Sequence, residues 1–326
     1  MTDAFLAGAG WSDATLTPLA GDASARRYSR VARAGGGAIL MQDPDGDTAL
    51  FARLARHLSG LGLSAPQILA EDHARGLLLI EDLGDGLFAR LTAADPTQER
   101  QLYLAATDAL LALHRHAPPA LDVATPQRLA QMSDLGFDCY LVRATGSAAP
   151  QARDRCIAAF EEALATDAPD TDVMILRDFH AENLLWLPDR TGPARVGLLD
   201  FQDALQGHCA YDLASLLTDA RRDVSPDTAA AAIHHYIRQR GLPDGPFRAA
   251  LAVLGAQRNL RILGVFARLA GAGKPQYLTL MPRVWAHLQA DLTHPALASV
   301  AAILNAVLPP PTPEILARLR ASCPTQ

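Results

Sequence analysis

The stretch MILRDFHAENLLWL, residues 174–187, sets Arg177, Asp178, His180, Glu182 and Asn183 between two apolar runs. Buried without partners, such groups cost several kcal/mol, so they either solvate one another in a loop or do chemistry. The apolar run VMILR before them reads as a strand. The run LLWL after them reads as another, followed by a turn, PDRTGPA, and a third strand, RVGLLDF (195–201), which ends on Asp200 and Phe201. This β-island stands in a part of the chain that is otherwise helical.

Upstream, short apolar runs broken by turn residues predict a small sheet. LTPLA (16–20), RYSRVARA (27–34), AILMQ (38–42), QILAED (67–72) and GLLLIEDL (76–83) are its strands, with GDASA (21–25) a tight loop. Leu50, Phe51, Leu54, Leu58 and Leu61 recur at helical spacing between the third and fourth strands. GDG (84–86) is a glycine-rich break and marks a boundary, giving an N-lobe over 1–84 and a C-lobe over 85–326. Downstream, helices are expected near 97–115, 151–166, 227–240, 246–270, 277–290, 295–306 and 313–321. The fold class that follows is α+β and bilobal, with a small antiparallel-sheet N-lobe and a mainly helical C-lobe.

Composition narrows the function. At 326 residues, 49% hydrophobic and 20% charged, the chain is globular and long enough for two lobes. A formal net charge of −6 argues against a nucleic-acid partner, which needs a basic face. Four scattered cysteines without a C-x-x-C pair read as unpaired thiols in a reducing compartment. The N-terminus has no signal-peptide pattern, and no uncharged run reaches the ~18 residues a membrane span requires. A cytoplasmic protein without membrane attachment is expected.

Phosphoryl transfer from ATP needs a carboxylate at the acceptor hydroxyl and two groups that hold Mg2+ between the phosphates. In the protein-kinase plan these come from H-R-D-x-x-x-x-N and from the aspartate that opens D-F-G on the next hairpin. This chain offers L-R-D-F-H-A-E-N at 176–183 and D-F-Q at 200–202. Asp178 would be the base, and Asn183 and Asp200 the metal ligands. An aspartate followed five positions on by an asparagine arises about once by chance in a chain this long. The flanking strands, the strand-end Asp-Phe and the upstream sheet give the pair its meaning. Other nucleotide and hydrolase plans fail: GAGKP (271–275) lacks the first glycine and the Ser/Thr of a P-loop, and no H-E-x-x-H or G-x-S-x-G is present.

The island resembles the aminoglycoside-phosphotransferase family of kinase-like enzymes, whose loop reads H-G-D-x-H-x-x-N. GDASARRY, LLIEDLG, DFQDAL, AYDLASLL and QRNLRILGVFARLAGAGKPQYL look like the branch of that family acting at the anomeric oxygen of N-acetylmuramate or N-acetylglucosamine in cell-wall recycling. The resemblance implies ATP and Mg2+ as cofactors, an amino sugar as small-molecule partner, and a product phosphorylated on the C1 oxygen. It also implies adenine reading at the strand end near Glu81 and Leu83. Two positions depart from the pattern. Leu176 stands where the loop histidine is usual, so Asp178 would be held by Asp212 or His180. Met41 stands where the third strand carries a phosphate-binding lysine, so Arg26 or Arg27 beside the GDASA loop would supply the charge.

The remaining candidates have competing readings. Asp203 assists the metal or sugar, or caps a turn; Asp212 caps a helix or braces the loop. Arg258 and Arg261 lie three apart on one helix face and would read a lactyl carboxylate, or be solvated there. A different small hydroxyl substrate (an aminoglycoside, choline or homoserine) and a catalytically silent nucleotide-binding module stay open.

Overall fold

The computed structural model describes residues 2–19 and 26–321. The GDASA loop expected at 21–25 lies outside the described residues. Along the chain come α1 (Thr2–Gly8), β1 (Thr15–Pro18), β2 (Arg27–Arg33), β3 (Gly36–Gln42), α2 (Thr48–Gly60), β4 (Ile68–Asp72) and β5 (Leu77–Glu81). The helices α3 (Phe88–Ala94), α4 (Glu99–Leu113), α5 (Pro126–Gln131), α6 (Val142–Thr145) and α7 (Pro150–Asp167) follow. Then come β6 (Val173–Ile175), β7 (Leu184–Trp186), β8 (Val196–Leu198) and β9 (Leu205–Gly207). The chain closes with α8 (Tyr211–Leu217), α9 (Pro226–Arg240), α10 (Asp244–Gly271), α11 (Met281–Asp291), α12 (Ala298–Val307) and α13 (Pro313–Ala321). The residues form two compact units: 1–119 with 181–203, and 120–180 with 204–326.

In the first unit the five strands form one antiparallel sheet in the order β1-β2-β3-β5-β4. The α+β class expected from the sequence is what the chain adopts. Strand alternation puts Val31, Ala38, Leu40 and Leu79 on one face, where they pack with Leu6 of α1 and Trp11. Tyr28, Met41 and Leu78 are directly opposite one another across β2, β3 and β5, and so share the other face. The helix α2 starts because Asp47 accepts a hydrogen bond from the Leu50 N–H at 2.7 Å, and it buries Phe51, Leu54 and Leu58 along one stripe.

The β-island is not a single sheet. β6 pairs with β9, whereas β7 pairs with β8, and the two ladders belong to different units. The second unit is otherwise helical, centred on α10, which buries Val253, Leu254, Leu260 and Leu263. Among the described residues no single helix is long and apolar enough to cross a membrane, and Cys139, Cys156 and Cys209 are free thiols.

Candidate active site

The loop at 176–183 begins with a sharp reversal. Asp178 N–H donates to the Leu176 carbonyl at 2.9 Å, across Arg177 at φ 72°. Left-handed backbone at a residue with a Cβ costs about 1–2 kcal/mol, so something must hold it. In the second unit that support is α8. Asp212, fully buried, accepts from the Leu176 N–H at 2.6 Å and the Arg177 N–H at 2.8 Å. Ser215, one turn on, donates to the Arg177 carbonyl at 3.2 Å. The brace expected from Asp212 is therefore present, and it acts on the backbone of Leu176 and Arg177. Burial pushes the Asp212 carboxyl up to about 7, against the pull of those two N–H groups and of Arg258.

Around Asp178 the second unit gathers guanidinium groups. Arg261 on α10 interacts electrostatically with Tyr211, Arg177, Asp178 and Arg258, and its own pKa is lowered, chiefly by burial. Arg258, only 6% exposed, lies close enough to lower the pKa of His180. Burial first, then Arg221 and Arg258, hold the His180 imidazole neutral, down to about 3. The one-face spacing of Arg258 and Arg261 thus becomes a shared neighbourhood, with Arg261 the more exposed of the two.

In the first unit the β7–β8 hairpin carries the other two predicted oxygens. Leu199 N–H donates to the Asn183 carbonyl at 3.0 Å, extending the ladder one step and setting Asp200 just beyond it. Asp200 also has left-handed backbone, φ 56°. Its side chain is 43% exposed and accepts from Gln202 Nε2 at 2.8 Å and from Arg26 Nη1 at 3.3 Å. Phe201 anchors the turn by packing on Phe51 of α2, ring centroids 4.8 Å apart. Asp203 is exposed beside Gln202. Among the described residues no cluster of three or more His, Cys, Asp or Glu side chains could hold a metal alone. An exposed carboxylate and an amide carbonyl are nonetheless the hard donors that Mg2+ uses when phosphates and water complete its shell.

Arg26 and Arg27 part company. Arg27, opposite Gln42, is exposed on the face of the sheet shared with Val31. Arg26 donates through Nε to Asp43 Oδ2 at 2.9 Å and interacts with Tyr28. Met41 is 1% exposed and belongs to the core.

Glu81 and Leu83 lie on a segment held from two sides. Arg190 of the β7–β8 turn pairs with Glu81, and Arg30 of β2 pairs with Asp82 at 2.7 Å and with Asp85 at 2.9 Å. Leu83 approaches β8 at Gly197, where a Cβ would sit 3.2 Å from Leu83 Cδ1. Sequence reasoning missed Asp43, Ser215, Arg30 and Arg190, whose surroundings read only as turn, helix or strand residues.

The chain is similar to known proteins in both sequence and fold. The family model described as phosphotransferase enzyme family matches residues 15–252. The N-acetylmuramate/N-acetylglucosamine kinase of Caulobacter vibrioides is 39% identical, over 94% of this chain and 95% of that protein. A choline/ethanolamine kinase family protein of Mesorhizobium loti shares the fold at a TM-score of 0.62, 17% identity and 98% of both chains. An aminoglycoside phosphotransferase of Streptomyces rimosus, solved with ADP and streptomycin, does so at 0.52, with 18% identity over 78% of this chain and 97% of that one. The chain belongs to the phosphotransferase enzyme family.

Proposed function

We propose that the protein is an ATP-dependent kinase of the anomeric hydroxyl of N-acetylmuramate and N-acetylglucosamine, working in the cytoplasm. The observation that carries the reading is the braced turn at Asp178 beside Arg177 and Arg261, in a chain so similar to a kinase of that name. Asp178 orients the C1 hydroxyl and takes its proton. The C1 oxygen bonds to the γ-phosphorus as the bond from that phosphorus to the ADP oxygen breaks. The transition state is loose, so the proton transfers late and positioning matters more than basicity. Arg261, with Arg258 behind it, suits the lactyl carboxylate of N-acetylmuramate, since a guanidinium fork matches a carboxylate.

The first unit would take the nucleotide: the backbone at Glu81 and Leu83 for adenine, Arg26 for phosphate, and Asn183 and Asp200 for the metal. Mg2+ would supply neutralisation of the β- and γ-phosphate charge there. In this reading residues 1–84 supply the adenine and phosphate contacts, and residues 85–326 supply the metal, sugar and proton-transfer groups.

The test is 31P NMR of the chain with ATP, Mg2+ and, separately, N-acetylmuramate, N-acetylglucosamine and kanamycin. An anomeric sugar phosphate signal is expected with the two amino sugars. Phosphorylated kanamycin alone would shift the substrate to the aminoglycosides, and no product from any acceptor would leave the silent-module reading. For the phosphate contact, Arg26→Ala should raise the KM for ATP and Arg27→Ala should not.

A further inference from the structure

Met41 raises a question of charge. The strand position that would carry a phosphate-binding lysine is filled by an apolar side chain buried to 1% exposure. A pyrophosphate still needs a cation. Arg26 stands two residues before Tyr28, and Tyr28 is the direct cross-strand neighbour of Met41. Its guanidinium reaches Asp200, so the positive charge is delivered to the Met41 face from the start of β2 instead of from β3.

An arginine at the end of a strand swings on a flexible stem unless something fixes it. Asp43 does so. It follows β3 directly, its side chain is 10% exposed, and it engages Nε, while Nη1 reaches Asp200 at 3.3 Å. The backbone is shaped to keep it there. Asp43 N–H donates to the Gly76 carbonyl at 2.8 Å. A Cβ at Gly46 would stand 2.1 Å from Asp43 Oδ2, and one at Gly76 2.4 Å from Asp43 O. Two glycines from different turns therefore leave room for this one residue.

We propose that Asp43 is a positioning residue for nucleotide binding, and that Arg26, held by Asp43, supplies the phosphate-binding charge of the strand lysine whose place Met41 fills. Asp43 keeps Nε while Nη1, now on Asp200, is the group a phosphate oxygen would claim. The proposal rests on the reading above that the first unit binds ATP.

The experiment is calorimetric titration of the full chain with ADP, with and without Mg2+, for the unmodified protein, Arg26→Ala, Asp43→Asn, Asp43→Ala and the double variant Arg26→Ala/Asp43→Ala. Steady-state KM and kcat for ATP and for the sugar accompany it. Asp43→Asn should weaken ADP binding by about tenfold, the loss expected for one charge-assisted hydrogen bond, with the sugar KM unchanged. The double variant should bind ADP no more weakly than Arg26→Ala alone, because Asp43 acts through Arg26. Circular dichroism shows which variants fold; the isosteric Asn variant carries the test if the Ala variant does not. Unchanged ADP affinity in Asp43→Asn overturns the proposal, as does an equal loss from Asp43→Ala with and without Arg26. Either result, in a chain that still phosphorylates the sugar, leaves the kinase reading intact. A chain that binds no ADP at all overturns both.

Discussion

Among the described residues, the non-glycine positions with left-handed backbone are Arg177 and Asp200. Each adjoins or is one of the acids in the two halves of the kinase motif. Strain of this kind persists only where the surroundings over-determine it, and it concentrates at functional sites. At Arg177 the determinants are the two N–H bonds to Asp212 and the Ser215 bond, so the cost of the turn is met by α8. Asp212→Ala would leave two buried N–H groups without an acceptor. It should lower stability by about 2–4 kcal/mol in urea unfolding, and reduce kcat while leaving the ATP KM unchanged. Asp178→Asn is different in kind: the brace is on the backbone, so the urea midpoint should hold while kcat falls by about 100-fold or more. A fall in both midpoint and kcat would mean that Asp178 is a structural residue. The spacing of Asp178, Asn183 and Asp200 was readable because these residues interrupt apolar strands. Asp43 was not, since Asp-Pro-Asp-Gly after a strand is also the composition of an ordinary turn.

At the scale of elements, α10 is the member against which much of the second unit packs, and close approach is written into its glycines. A Cβ at Gly264 would stand 2.2 Å from the Leu135 backbone, and one at Gly255 2.7 Å from Asp291 Oδ2 on α11. Backbone cannot swing aside, so Gly264→Ala should lower stability by about 1–3 kcal/mol in urea unfolding despite its better helix propensity. Asp291 itself gives a pH signature. Burial pushes its carboxyl up to about 7, against a hydrogen bond from Asn259 Nδ2 at 3.0 Å. The folded chain thus keeps a proton that the unfolded chain has already released. Stability from this group is present at pH near 4 and is lost as pH rises towards 7. Asp291→Asn removes that loss, so its free energy of urea unfolding should gain on that of the unmodified protein between pH 5 and pH 8, by on the order of 2 kcal/mol after allowance for part exposure. A constant difference across that range would show that the carboxylate does not titrate there. Periodicity made α10 legible almost end to end, whereas β9 was missed: Leu-Gln-Gly is too short to alternate, and only its pairing with β6 makes it a strand.

For the whole molecule, the decisive feature is that the chain leaves the first unit at residue 119 and returns to it for 181–203. Local sequence shows the glycine-rich stretch at 84–86, expected there as a boundary, which lies inside the first unit. It does not carry the return, which depends on contacts between residues about 90 to 150 positions apart. Those contacts are specific. Leu198 N–H donates to the Ser64 carbonyl at 2.8 Å, Ala89 N–H to Ala181 at 3.1 Å, and Trp186 N–H to Gly86 at 2.8 Å, while Phe201 covers Phe51. Asn183 and Asp200, the latter bonded to Arg26, arrive on this returning segment, so the proposed nucleotide site is complete only when 181–203 has folded back into the first unit. A fragment ending at 119 would keep all five strands of the sheet yet expose Phe51 and leave Ser64 and Gly86 without their hydrogen-bond partners. Aromatic burial of that size dominates small cores, and a sheet with one helix uncovered is marginal. The fragment 1–119 should therefore show no cooperative urea transition by near-UV circular dichroism, whereas the full chain should. A cooperative transition in the fragment at the midpoint of the full chain would mean that the returning hairpin is carried by the first unit without stabilising it.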